Sequence, residues 1–81
     1  DVRSAVVILD GPAGQPLQAG LRGKTASGRG FVVGYDGRAF LEGLEANNIA
    51  TVELATGECR AEFAYAPRGD SQVSIGPVAC K

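Results

Sequence analysis

Glycine and proline interrupt this chain too often for a long helix to survive. Twelve glycines and four prolines are spread over 81 residues, and each loosens or breaks a helical ladder. Between the interruptions stand short runs rich in β-branched and aromatic residues, the pattern of a small all-β fold. A Greek-key-like β-sandwich of about seven short strands is expected. SAVVILD, Ser4 to Asp10, reads as the first strand, ended by Asp10-Gly11 and Pro12. A second runs from Leu17 to Thr25, a third covers FVVGY, Phe31 to Tyr35, and Asp36-Gly37 links it to RAFLEGL, Arg38 to Leu44. In IATVELA, Ile49 to Ala55, Val52 and Leu54 alternate toward a core. In ECRAEFAYA, Glu58 to Ala66, the residues Cys59, Ala61, Phe63 and Tyr65 share one face. VSIGPVACK closes the chain, with Pro77 at an edge position or a strand break.

A chain of this length forms one domain, spanning 1–81, and buries only about 60–65% of its unfolded surface. It therefore needs a staple. Two cysteines, Cys59 and Cys80, suggest one disulfide and with it an oxidising compartment. Closing that loop contributes roughly 3 kcal/mol by chain entropy. The alternative is two free or buried thiols; a metal site would need more ligands than two cysteines and no histidine supply. The last two strands, brought together by the two cysteines, are expected to be neighbours.

Eight Lys and Arg against nine Asp and Glu give a net charge of −1, which supplies no field for gripping nucleic acid. The longest apolar run, AVVIL, is far shorter than the roughly 20 residues of a membrane-spanning helix. No initiator Met and no signal-like segment stands at the start, so the chain is expected to begin after a cleavage or inside a longer protein.

Catalytic constellations are thin. Without histidine the commonest general base is missing. Glu42 with Glu45, or Glu53 with Glu62, offer paired carboxylates of the kind glycoside chemistry uses, but solvated strand faces and loops account for them more simply. Gly28, Gly30 and Gly34 lack the strand–turn–helix setting of a phosphate loop. Arg68, Gly69 and Asp70 spell an adhesion tripeptide, which an ordinary turn after Pro67 explains as well.

The hairpin GFVVGYDGRAFLEGL, Gly30 to Leu44, is the better lead. A type I′ turn at Asp36-Gly37 would set Tyr35 opposite Arg38 and Val33 opposite Phe40. One face then carries Phe31, Val33, Tyr35, Arg38, Phe40 and Glu42, the other Val32, Gly34, Ala39, Leu41 and Gly43. Both are largely apolar near the turn, whereas a sheet with one wet face alternates apolar with polar. One face is core; the other is a candidate docking surface.

Nearly the whole chain resembles the C-terminal periplasmic domain of outer-membrane ushers of the chaperone–usher pilus pathway. The likeness is carried by PLQAG, by Gly30, Gly34, Asp36, Gly37, Phe40, Leu41, Gly43 and Leu44 of the hairpin, by ATVELATGEC, and by Cys59 paired with a Cys80 one residue from the end. Gln18 and Ala55-Thr56-Gly57 depart from the family's usual residues. The resemblance implies a C-terminal piece of a larger outer-membrane protein of bacteria, placed on the periplasmic side and not touching the membrane itself. It implies binding to chaperone–pilus subunit complexes and to other usher domains, with no cofactor and no enzymatic step. The docking patch is expected on Phe31, Tyr35, Arg38 and Phe40, with Ala39, Leu41 and Leu44 inward. A secreted carbohydrate-binding or adhesion module of β-sandwich type is the alternative, and it asks for a ring of exposed aromatics.

Overall fold

Alternation of apolar and polar side chains runs through the strands and decides how they stack. The computed structural model describes residues 3–69 and 72–81, so Asp70 of the tripeptide lies outside the described residues. Seven strands form two facing sheets: β1 (Ser4–Asp10), β2 (Arg22–Thr25), β3 (Gly30–Val32), β4 (Arg38–Glu42), β5 (Asn47–Leu54), β6 (Gly57–Ala64) and β7 (Val73–Ala79). One sheet has the order β4-β1-β7, the other β3-β2-β5-β6. β1 runs antiparallel to β4 and parallel to β7, and the four-stranded sheet is antiparallel throughout. Only β2 with β3 and β5 with β6 are sequence neighbours within a sheet; every other connection crosses the sandwich. The all-β sandwich expected from the turn spacing is the fold.

The core sits between the sheets. Val7 and Leu9 of β1 and Leu41 of β4 meet Val52 of β5 and the inward row of β6, Cys59, Ala61 and Phe63. Burying a side chain such as Leu41 contributes about 1.5–3 kcal/mol. Where the chain crosses from β4 to β5, the buried Asn48 satisfies itself on Glu45: its Nδ2 donates to the Glu45 carbonyl at 2.7 Å, and its Oδ1 accepts from the Glu45 N–H at 2.8 Å. Among the described residues no buried side-chain polar atom lacks a partner, as a small core requires.

Two expectations about the strands change. Leu17 to Thr25 is not one strand: β2 starts only at Arg22. The preceding residues instead fold under the sandwich edge, where the Leu17 N–H donates to the Leu9 carbonyl and the Gly20 N–H to the Val33 carbonyl. Leu17 is buried there.

β6 and β7 are also not neighbours in a sheet, because β7 pairs with β1 and β6 with β5. The Cys59–Cys80 disulfide is present, with an S–S distance of 2.03 Å and both residues fully buried. It joins the two sheets at one end of the sandwich. Beside it Arg60 and Lys81 exchange main-chain hydrogen bonds, at 2.9 Å from the Arg60 N–H and 2.8 Å from the Lys81 N–H. The chain passes from one sheet to the other within two residues, since the Cys80 N–H still donates to Asp10 of β1. Pro77 lies in the edge strand β7 where the register with β1 shifts between Val7 and Leu9, the kind of place a sheet tolerates proline.

Candidate protein-docking surface

The docking surface grows out of the turn at Tyr35–Arg38. Asp36 takes φ 57° and ψ 31°, Gly37 takes φ 76°, and the Arg38 N–H donates to the Tyr35 carbonyl. These are the positive φ values of a type I′ turn, which Asp-Gly favours. Gly37 is buried as well: a Cβ there would lie 2.5 Å from the Leu9 carbonyl oxygen and 3.2 Å from Pro16.

The residue before the turn changes the register. The Gly34 N–H donates to the Arg38 carbonyl at 2.6 Å, and Val33 bridges to Ala39. Gly34 and Tyr35 thus both stand against Arg38, one residue more than a simple hairpin holds, and a one-residue insertion moves the side chains beyond it to the opposite face. The expected pairing of Val33 with Phe40 is therefore corrected. Phe31 and Val33 turn inward with Ala39 and Leu41, while Val32 turns out with Phe40.

Phe31 consequently leaves the docking patch. It is only 8% exposed, and its ring lies so close over Gly23 on β2 that a Cβ at Gly23 would overlap it. Tyr35 at 82% and Phe40 at 51% are exposed, and so is Arg38. Inward Ala39, Leu41 and Leu44 are as expected. Beyond the turn the two arms part, β3 to β2 and β4 to β1. That parting answers why the hairpin is apolar on both sides: its arms line the core from opposite sheets.

On the outer face of β4, Phe40 stands directly opposite Val6 of β1, and Arg38 opposite Ile8. Val6 and Ile8 are half-buried. The result is an apolar strip with Arg38 and Tyr35 at one end and the exposed carboxylate of Glu42 at the other. Val6 and Ile8 had no face assigned from the sequence, and Val32, expected on the face of Ala39 and Leu41, stands exposed on the other side. The signal was in AVVIL, whose unbroken apolar run means that its outward positions are apolar too.

The remaining constellations come apart. Glu42 pairs with Arg29 at 3.7 Å, and the Glu45 main chain is bound to Asn48 in the crossing to β5. Glu53 stands opposite Glu58, whereas Glu62 stands opposite Ile49. A hollow of about 630 Å³ on the outside of the four-stranded sheet is lined by Arg22, Lys24, Glu53 and Glu58 with Val32 at its rim. Comparison with known protein families, with curated proteins and with solved structures finds no match to this chain.

Proposed function

We propose that this chain is the C-terminal periplasmic domain of a pilus usher, and that it binds chaperone–subunit complexes and positions them for fibre assembly and secretion. The observation that carries this reading is the exposed cluster of Tyr35, Arg38 and Phe40 at one end of β4, backed by Val6 and Ile8. An aromatic pair and an arginine around an apolar strip have the composition of a protein-interface centre. Solvated singly such residues mean little, but here they adjoin. The hairpin and cysteine arrangement that resembles the usher domain supports the partner's identity, and the disulfide suits an oxidising periplasm. In this reading the domain works by orientation: holding a complex beside its acceptor turns a bimolecular encounter into a local one. Other usher domains would meet the remaining surface of the sandwich.

A pull-down of the purified domain against a chaperone–subunit complex and against free chaperone tests it. The complex should be retained and an Arg38→Ala, Phe40→Ala double variant should lose it while remaining folded by circular dichroism. Retention of the complex by the double variant would refute this surface, and no retention by the unsubstituted domain would refute the function.

A further inference from the structure

Alternation along the strands leaves the two outer faces of the sandwich unlike. Outside the four-stranded sheet stand Arg22, Lys24, Glu53, Glu58, Arg60 and Glu62, all exposed, and water solvates such a face without help. Outside the three-stranded sheet the middle is apolar. Phe40 of β4 stands opposite Val6 of β1, and Val6 opposite Ser74 of β7. Ile8 follows on β1, where the register with β7 shifts around Gly76 and Pro77. The exposed residues of β7 on this side, Ser74, Gly76, Pro77 and Ala79, are small and uncharged.

Charge collects at the two ends of this face, with inverted sign. At the turn end the cation Arg38 stands with the acids Asp10 and Asp36. At the far end the acid Glu42 stands with the cations Arg3 and Arg29. On β4, Arg38 and Glu42 lie two residues to either side of Phe40 and share its exposed face. Among the described residues the one ion pair is Arg29–Glu42, at 3.7 Å with both side chains exposed. Such a pair holds Glu42 weakly, and Arg38 has no carboxylate within that reach among the described residues.

We propose that a second copy of this chain covers this face, the two three-stranded sheets packing outer side to outer side about a two-fold axis that crosses the strands at Phe40 and Val6. This rotation reverses strand direction while keeping β4 over β4 and β1 over β1. Arg38 of each copy then meets Glu42 of the other, and Asp10 and Asp36 come to the end that carries Arg3 and Arg29. Phe40 and Val6 meet at the uncharged centre, and the small residues of β7 let the sheets approach to the usual packing distance of about 10 Å. The face is three strands wide and five residues long, roughly 10–15 by 17 Å. Two copies therefore bury less than the roughly 1,200 Å² of a standard interface. The dimer is weak, and it gives way to a partner that holds the same face tightly. The proposal rests on the reading of Arg38 and Phe40 as a docking surface, and says what covers that surface when no other partner is bound.

Sedimentation equilibrium on the 81-residue chain alone tests the dimer. The average mass should climb from one chain toward two between about 10 μM and about 1 mM. Arg38→Glu and Glu42→Arg should each weaken self-association at least tenfold, because the rotation then sets like charges together at two places. An equimolar mixture of the two variants should associate within threefold of the unsubstituted chain, since in the mixed dimer each glutamate again meets an arginine. Both positions are exposed, so both variants should fold, which circular dichroism checks. If one does not, concentration-dependent NMR shifts of the Val6, Phe40 and Ser74 amides in the unsubstituted chain still decide. A single mass at every concentration, association unmoved by either swap, a mixture no stronger than its components, or amide shifts confined to other strands overturns the dimer. If Arg38→Glu still abolishes capture of a chaperone–subunit complex in that case, the complex alone occupies the face and the proposed function stands.

Discussion

Two phenylalanines nine residues apart divide the labour of the hairpin. Phe31 covers Gly23 inside the sandwich, and Phe40 stands half in water beside Val6. Phe31→Ala should therefore cost about 3–4 kcal/mol of stability in a urea titration, from lost burial and the cavity left behind. Phe40→Ala should cost less than about 1 kcal/mol by the same measurement. Equal losses would mean that the register at Gly34 is wrong. Gly37 carries a different constraint. It combines a positive φ with a close approach to the Leu9 carbonyl, so Gly37→Ala should destabilise by roughly 2–3 kcal/mol in thermal unfolding.

At the scale of elements, much was legible. Ser4–Asp10 is a strand with the bounds read from its apolar run and turn. The alternation of β6 put Cys59, Ala61, Phe63 and Tyr65 on one buried face as its sequence indicates. Such features are local, and a period of two is enough to find them. Apart from the second strand, which starts at Arg22 and not at Leu17, the misreadings were questions of partnership. The turn type at Asp36-Gly37 followed from two residues, but the bulge at Gly34–Tyr35 came from how β3 and β4 are drawn to different sheets, and no dipeptide encodes that. Likewise Cys59 and Cys80 announced their bond, yet not that it would clasp two sheets instead of two adjacent strands. The clasp has a measurable weight. Replacing both cysteines by alanine should lower stability by about 3 kcal/mol, since the closed loop spans a sequence separation of 21. The Lys81 amide, bonded to Arg60, should then lose its protection from hydrogen exchange; an amide that stayed protected would show that the Arg60–Lys81 pairing holds without the bond.

The whole molecule is a sandwich with two seams, one closed by the disulfide and the Arg60–Lys81 hydrogen bonds between β6 and the end of β7, the other by the turn and the Val33–Ala39 bridge between β3 and β4. The turn presents Tyr35, Arg38 and Phe40, and Val32 stands exposed beside it. Four cations, Arg22, Lys24, Arg29 and Arg38, stand around that seam with Asp36 and Glu42, while Glu53 and Glu58 share the hollow of Arg22 and Lys24, and Arg60 lies with Glu58 and Glu62 on β6. Association with a partner should slow as ionic strength rises, with a smaller effect on dissociation, because long-range charge acts mainly on encounter; stopped-flow mixing at two salt concentrations would measure it. The central claim is that the bulge turns Phe31 inward and leaves Phe40 beside Arg38 as the surface that meets the partner. Isothermal titration of a chaperone–subunit complex into the domain and its Arg38→Ala, Phe40→Ala variant tests this most directly. At least a hundredfold loss of affinity, with the unfolding midpoint of the variant little changed, is the predicted result, and an unchanged affinity would contradict it.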